Sequence, residues 1–400
     1  MIIWGEKMFK LEKTRPVWVE INLDNLANNI REVRRVTRKE TMVTAVVKAN
    51  GYGHDAVETS KVFLENGADR LAVATLSEAI ELRKGGILNT PILILGYTPN
   101  SQVEDIIDYN IMATIYTLDQ GKAISDEALR KNKISKIHIK LDTGMGRLGL
   151  KNNEKSIETI IEISKLPNVE IEGIFTHFAR ADEKNKEFTK IQFSRFEEII
   201  QKLEKRGINI PIKHVSNSAA IIDLPEYNLD MVRAGIMLYG LYPSKDVNKD
   251  NVKLKPAMSL RAKLSYIKNV PENTGLSYGH IYSTDKESKI GTLPIGYADG
   301  FTRLLSGNAE GTIKNRRVKI VGRICMDQCM IDLSEIDNVN IGDIVTLFSD
   351  GENNTLHIDE VADRLGTINY EIVCMMGKRV PRVFKKGDTI IEIKDYNLYN

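Results

Sequence analysis

A closed (β/α)8 barrel of the TIM type followed by a mainly β C-terminal domain is the fold class that this sequence predicts, on three observations. Between residues 43 and 240, eight short β-branched runs alternate with amphipathic stretches. Polar residues able to do chemistry fall just after several of these runs. Beyond about Pro256 the pattern changes to period-two segments punctuated by glycine and asparagine.

Taken in order, Met1 to Lys7 is apolar for only a few residues before charge intervenes, so neither a signal peptide nor a membrane span is expected, and Met8 is an alternative start. Residues 1–14 read as an N-terminal extension, 15–250 as the barrel and 251–400 as the β-rich domain. Leu23, Leu26, Ile30 and Val33, after the Asn22/Asp24 cap region, predict a helix that closes over the barrel from its N-terminal side. The runs at 43–47, 71–74, 92–95, 111–115, 137–141, 169–175, 212–215 and 231–236 are the eight strands. Between them, Thr75 and Glu78 form a capping box ahead of Ala79, Ile80 and Leu82, with Gly85-Gly86 as the stop. Phe193, Phe196, Ile199, Ile200 and Leu203 mark another helix face. Eight strands, each followed by a helix, imply a closed parallel barrel rather than an open sheet, with the active site at the strands' C-terminal ends. The polar, lysine-rich stretch 242–255 is the expected linker, and 260–270, 289–295 and 317–331 the expected β segments.

Composition bounds the function. Fifty-six basic against 54 acidic residues give a net charge of +2, without a single-sign block that would recruit nucleic acid or an anionic membrane, so a small-molecule site is expected. The three cysteines, Cys325, Cys329 and Cys374, show no Cys-x-x-Cys zinc spacing and no disulfide framework, which fits a reducing cytoplasm.

Lys48 ends the run 42–47 and is followed at once by Ala49-Asn50-Gly51-Tyr52-Gly53-His54. A lysine that ends a buried strand and faces a glycine-rich turn is held where its amine can lose a proton and attack a carbonyl; the alternative is a snorkelling strand-end lysine. In 136–147, alternation puts Ile137, Ile139 and Leu141 on the face toward the helices and His138, Lys140 and Asp142 on the other. Lys140 therefore points into the barrel, where an ammonium must be paired, deprotonated or modified; Asp142 is the simplest partner. Gly144-x-Gly146-x-x-Gly149 matches the dinucleotide-binding fingerprint, with Glu172 near the spacing of a ribose-binding acid. Against that reading, it follows four earlier strands and carries Arg147 inside the turn. His177 reads as either a satisfied core histidine or a site residue, and no metal-ligand spacing accompanies it, so no metal is expected. Ser216-Asn217-Ser218, and Gly235-Ile236 after Arg233, supply hydroxyl and N–H groups suited to a phosphate; a helix-capping role for the serines is compatible with that. In the β domain, 277–280 and 325–328 are flanked by regular strand, and a tyrosine in a strand, as Tyr278 would be, usually packs.

In this order the motifs VVKANGYGH, KLDTGMGRLG, GIFTHFA, HVSNSAA, MVRAGI, SYGHIY, IGYADG, GRICMDQ, TINYE and KRVPR closely resemble the alanine racemases over about residues 15–384. The resemblance implies a pyridoxal 5'-phosphate enzyme interconverting L- and D-alanine for peptidoglycan precursors. By it, Lys48 is the aldimine lysine, and Tyr52, Ser218, Gly235 and Ile236 hold the phosphate. Arg233 faces the pyridine nitrogen, and Arg147 meets the cofactor's phenolic oxygen and the substrate carboxylate, oriented by Lys140, which the family often carries as a carbamate. Tyr278 is the second base and Met326 a substrate contact, both entering from the other subunit of a homodimer. Two bases on opposite faces of a planar carbon racemise it without rotating the substrate. A phenol of pKa about 10 then needs cations nearby, for which His177 and Arg233 are the candidates.

Two departures from the family pattern stand out: Gly51 and Asp55 replace the usual alanine and glycine around the lysine motif, and Lys378 stands where many relatives carry a tyrosine said to contact phosphate. The competing readings are a non-catalytic pyridoxal phosphate carrier made of a lone barrel and a nicotinamide-dependent oxidoreductase built on GMGRLG.

Overall fold

The computed structural model describes residues 11–397, and most of the reading of the amino terminus, Met8 included, lies outside the described residues. Two compact units form, one from Leu26–Gly51 with Asp55–Leu254, the other from the chain up to Asn25, Tyr52–His54 and the chain from Lys255 on. Among the described residues no helix is long and apolar enough to cross a membrane.

Strand β1 (Val17–Asn22) belongs to the second unit. In the first unit, β2 (Met42–Val46), β3 (Arg70–Val73), β4 (Ile92–Ile94), β5 (Ala113–Ile115), β6 (Ser135–Asp142), the short β7 (Leu150–Lys151) beside β6, β8 (Val169–Phe175), β9 (Ile212–His214) and β10 (Met231–Ala234) pair in parallel. Two parallel runs result, β10-β2-β3-β4 and β5-β6-β8-β9. Backbone bonds close both seams: Met112 N donates to Ile92 O and Ile94 N to Met112 O at 2.9 Å, while Arg233 N donates to Ser216 O at 3.0 Å. Leaving aside β7, the ring has eight strands, as the alternation predicts. Apolar runs drive it, because strands covered by helices bury apolar side chains along their whole length. Ile137, Ile139 and Leu141 are fully buried.

The helices obey local signals. Thr75 Oγ1 accepts from Glu78 N and Glu78 Oε2 accepts from Thr75 N, which completes the expected capping box of Leu76–Lys84, and Gly85 ends the helix. Helix Glu187–Lys205 buries Phe196, Ile199, Ile200 and Leu203. Helix Leu23–Val36 starts on Asn22, whose Oδ1 accepts from Asn25 N at 3.0 Å. Its placement differs from expectation: it runs along the outside of the barrel instead of closing the N-terminal mouth. Asn29 reaches Leu238 O beyond the end of β10, while Arg34, further along, bonds Thr41 O just ahead of β2 and Gly67 O ahead of β3.

In the second unit, β1 pairs antiparallel with β11 (Met258–Lys263) and parallel with Arg382–Lys386 inside a ten-stranded sheet. The chain's first strand is thus part of the β-rich unit. The segments expected at 260–270, 289–295 and 317–331 appear as β11, Tyr266–Val270, Ser288–Leu293, Arg316–Val321 and Cys329–Asp332. Two helices that the period-two pattern did not announce, Ile358–Leu365 and Asn369–Cys374, join this unit. Arg382, fully buried, is held by the carbonyls of Met376, Gly377, Val380 and Gly53.

Candidate active site

The turn after β2 is the most unusual backbone of the barrel unit. Lys48 opens it, and Ala49, Asn50 and Gly51 follow with φ between 53° and 61°, a left-handed turn that non-glycine residues adopt at a cost of roughly 1–2 kcal/mol each. It is held in place. Gly51 N donates to Val47 O at 2.9 Å, Ala49 N to Glu78 Oε1 at 2.6 Å, and Asn50 Oδ1 accepts from Ala56 N at 3.0 Å. The capping-box glutamate therefore also fixes the backbone beside Lys48. Asp55, one of the departures from the family pattern, caps the next helix by accepting from Val57 N and Glu58 N. Strain concentrated and over-determined in this way is a feature of functional sites.

Around the same C-terminal end of the barrel stand Lys140, Arg147, His177, Ser218, Arg233 and Gly235. Lys140 is buried; its ammonium donates to Leu141 O at 2.6 Å and lies 5.2 Å from the Phe175 ring centre. Burial, then the positive charge of Arg233, push its amine down to about 7. Asp142 is not its ion-pair partner. That carboxylate instead accepts from Gly144 N and Gly146 N, bracing the turn that carries Arg147 into solvent. The same segment disposes of the dinucleotide reading. The chain returns beside β6 as β7, and the next helix starts only at Glu154, so the glycines open no helix, and Glu172 bonds Arg70, Lys136 and His138.

Arg233 projects from β10 into a ring of strand ends. Its Nη1 donates to His214 Nδ1 at 2.8 Å and His214 O at 3.2 Å, and its Nη2 to Thr176 O at 2.8 Å and Val215 O at 3.0 Å. The guanidinium carbon lies 5.2 Å from the Phe175 ring centre. Among the described residues no carboxylate pairs with it. Burial lowers it to about 9, which leaves it a cation at neutral pH. Nη2 also meets His177 Nδ1 at 3.4 Å. Burial, Arg233, Lys140, Arg147 and Lys48 hold His177 neutral, which corrects the expectation that it adds a positive charge. Ser218 Oγ accepts from Gly235 N at 2.9 Å, tying the first residue of Ser218–Asp223 to the turn that leads into buried Ile236. The first N–H groups of such a helix have no partner within it.

The β-rich unit carries the remaining predicted residues. Tyr52 packs its ring 6.2 Å from that of Tyr370, in the TINYE motif. Tyr370 is a neighbour that no local signal in the sequence singles out. Lys378, which stands where the family resemblance puts a tyrosine, is exposed with its ammonium 5.7 Å from the Tyr396 ring centre. Tyr278 is not packed in regular strand. It heads a 3-10 turn, Tyr278–His280, between the short strands Gly275–Leu276 and Tyr282–Ser283, and is 68% exposed. Met326 is 52% exposed. Tyr278, Ser277, His280 and Cys325 line one groove.

Residues 21–243 match the family model described as "Alanine racemase, N-terminal domain", and 257–384 match "Alanine racemase, C-terminal domain". The chain belongs to the alanine racemase family. Family members are pyridoxal phosphate-dependent amino-acid racemases. Alanine racemase of Methanococcus maripaludis is 54% identical over 371 residues, covering 93% of this chain and 99% of that protein. That of Clostridium perfringens is 51% identical over 384 residues, covering 96% and 98%. Among solved structures, alanine racemase of Clostridium difficile 630 superposes with a TM-score of 0.94 at 45% identity, covering 96% of this chain and all of that one. The alanine racemase of Bacillus anthracis with bound L-Ala-P gives 0.91 at 37% identity, covering 96% and 98%. The alanine racemase match thus runs through both units, which a carrier of the lone-barrel type would not show.

Proposed function

We propose that this enzyme interconverts L- and D-alanine with pyridoxal 5'-phosphate held at the C-terminal end of the barrel, exchanging the α-proton between Lys48 and Tyr278 of the partner subunit. The observation that carries the reading is the buried arginine without a carboxylate. Arg233 uses Nη1 and Nη2 on protein acceptors, and its Nε donates to none among the described residues, which suits an acceptor such as an unprotonated ring nitrogen. Ser218 likewise accepts from Gly235 N and keeps its hydroxyl proton to donate to an anion.

In that arrangement Lys48 would carry the cofactor, and Tyr52, Ser218, Gly235 and Ile236 would hold its phosphate. The bound cofactor supplies electron withdrawal that acidifies the substrate's α-proton. Arg233 remains protonated at neutral pH and is a far weaker acid than a pyridinium, so it does not protonate the ring, limits that withdrawal and disfavours side reactions that need a long-lived carbanion. Lys48 Nζ takes or returns the proton on the D face, and Oη of Tyr278 of the partner subunit on the L face. Because His177 Nδ1 accepts from Arg233, its neutral ring carries the proton on Nε2 and donates to a phenolate, serving as a hydrogen-bond donor in place of a cation. Arg147 orients the substrate carboxylate, and Met326 of the partner subunit bounds the space for the substrate side chain. Lys140, with an amine at about 7, has a neutral fraction able to add carbon dioxide, and the resulting carbamate gives Arg147 the anion that Asp142 does not supply.

The exposure of Tyr278 and Met326 supports a homodimer with shared sites. The three cysteines are free, in keeping with a cytoplasmic enzyme supplying D-alanine to peptidoglycan precursors. Complementation tests the whole scheme. Lys48→Ala and Tyr278→Ala proteins, each inactive alone, regain about a quarter of wild-type racemase activity after mixing and subunit exchange, since half the dimers are hybrids with one intact site. Continued inactivity of a mixture shown to contain hybrids overturns the shared site.

A further inference from the structure

Burial, reinforced by four basic residues at one end of the barrel, Arg233, Lys140, Arg147 and Lys48, disfavours a proton on His177. Of the carboxylates at that end, Asp142 is spent on turn N–H groups and Glu78 on the backbone N–H groups of Ala49, Ala74 and Thr75. What answers the guanidinium of Arg233 lies deeper, along a continuous chain of hydrogen bonds through the barrel interior. Arg233 Nη1 meets His214 Nδ1 at 2.8 Å, His214 Nε2 meets His138 Nδ1 at 2.9 Å, and His138 Nε2 meets Glu172 Oε2 at 3.1 Å. Both imidazoles are fully buried. Glu172 is held in turn by Arg70 and by Lys136 at 3.0 Å, toward the opposite, N-terminal end of the barrel.

We infer that Glu172, His138 and His214 are positioning residues for the reaction, a one-directional wire that sets a remote carboxylate against Arg233 through two neutral imidazoles. The direction follows from the donor inventory. An arginine only donates, so His214 Nδ1 must accept; a neutral His214 then carries its proton on Nε2 and donates to His138 Nδ1. His138 in turn carries its proton on Nε2 and donates to Glu172, which as a carboxylate only accepts. Starting from either end gives the same assignment. A second proton on either ring would set two N–H groups against each other, so the wire admits no imidazolium. Burial acts in the same sense, lowering both histidines, while the bonds from His138, Arg70 and Lys136 keep Glu172 ionised.

The barrel is shaped around this wire. The β6–β8 register slips between Ile137 and His138, so that Ile137 faces Ile171 and His138 faces Gly173, leaving Glu172 as the extra residue of a bulge that is rare in parallel sheets. Gly173 is glycine because a Cβ there would come within 2.4 Å of the His138 ring. Phe175 stacks on His214 at 4.6 Å and 11°. Glu172 thus acquires a role that neither the dinucleotide reading nor the family motifs gave it.

The inference rests on Arg233 facing the cofactor, and its test separates the two. Nitrogen-15 spectra of the full-length apoprotein with labelled histidine report tautomers without any cofactor. Expected are Nε2–H, Nδ1-unprotonated rings for His138 and His214 at all pH values from about 5.5 to 9. An imidazolium, or an Nδ1–H tautomer, at either residue overturns the wire. In the reconstituted enzyme, Glu172→Gln keeps an oxygen to accept from His138 but removes the charge. The expected result is retention of the cofactor's visible absorbance, kcat lower by about tenfold, KM within about twofold, and an alkaline limb of the kcat/KM profile moved to lower pH, with Glu172→Asp recovering part of kcat. Unchanged kcat and pH profile overturn the coupling. If Glu172→Gln does not fold, Gly173→Ala, which crowds His138 and leaves the carboxylate in place, gives the same readouts. A wild-type protein that never acquires the absorbance would refute the functional reading, while the apoprotein spectra still decide the wire.

Discussion

Lys48 follows a strand that is buried from Val43 to Val47, and the backbone beside it is pinned by Glu78, Asn50 and Val47, whereas Tyr278 stands 68% exposed on a 3-10 turn of the β-rich unit. The two proposed bases thus sit in opposite surroundings. The barrel unit builds its half of the proposed site internally: strand ends supply Lys48, Lys140, His177 and Arg233, and backbone carbonyls and buried rings hold Lys140 and Arg233 in place. The β-rich unit displays Tyr278 and Met326 on its surface, and the proposed scheme leaves their alignment to another chain. This difference separates what each substitution disturbs. A change at Lys48 strikes cofactor retention and chemistry together; a change at Tyr278 strikes chemistry alone.

The largest expected effect is that of Lys48→Ala. It removes both the anchor and one base, so racemisation falls by roughly 10³-fold or more and the cofactor's visible absorbance is lost on gel filtration. A variant that keeps the absorbance and turns over would break the comparison at its buried end. Tyr278→Phe comes next. Loss of one positioned acid–base group costs about 10²- to 10⁴-fold in kcat, yet the absorbance persists, since the ring stays exposed on its own turn. Exchange of the α-hydrogen in deuterium oxide sharpens the point: D-alanine continues to exchange through Lys48, and L-alanine does not. Equal loss of exchange for both enantiomers would mean that the bases are not divided between the two faces.

A third effect is one of stability. Folding takes the amine of unmodified Lys140 from its ordinary 10.5 to about 7. Between those values the unfolded chain holds the extra proton, so stability rises with pH across that window and the penalty is largest below 7. In buffer freed of carbon dioxide, Lys140→Met removes this slope and raises stability at pH 7 by about 1–3 kcal/mol, as replacement of a buried charge by an apolar side chain often does. Urea denaturation at pH 7 and 9 measures it. Bicarbonate that flattens the wild-type slope, accompanied by a carbon-13 carbamate signal, would show that the amine is masked.

The ease of reading these regions from sequence divides along the same line. The eight barrel strands and the Thr75/Glu78 box are local signals, period and cap, and local signals survive folding. The ends of those strands therefore located Lys48, Lys140, His177 and Arg233. What eluded the sequence is set by distant partners. β1 is drawn into the far sheet by β11 and by Arg382–Lys386, a register that no window of neighbouring residues encodes. The wire from Glu172 to Arg233 joins residues 61 positions apart, and the neutrality of His177 arises from its burial and then from basic residues on four separate loops or strands. Asp142 looked like the partner of Lys140 because sequence shows proximity and not the turn N–H groups that claim its oxygens.

Lys378 is the smallest effect and the most direct test of reading function by position alone. Its place in the KRVPR segment, where the family resemblance implies a tyrosine, invites a role at the phosphate. Its ammonium instead lies over the ring of Tyr396 from an exposed turn. A surface cation–π contact of this kind contributes about 0.5–1 kcal/mol, and truncation of an exposed side chain away from a site seldom exceeds that. Lys378→Ala is therefore expected to leave kcat and the affinity for the cofactor within about twofold and to shift the denaturation midpoint only slightly. Tyr370→Phe, by contrast, alters a ring 6.2 Å from Tyr52, and is expected to weaken retention of the cofactor more than Lys378→Ala does. Cofactor release followed by absorbance ranks the two. If the lysine variant lost the cofactor faster, the phosphate would owe more to the position picked out by alignment than to the tyrosine pair that the fold brings together.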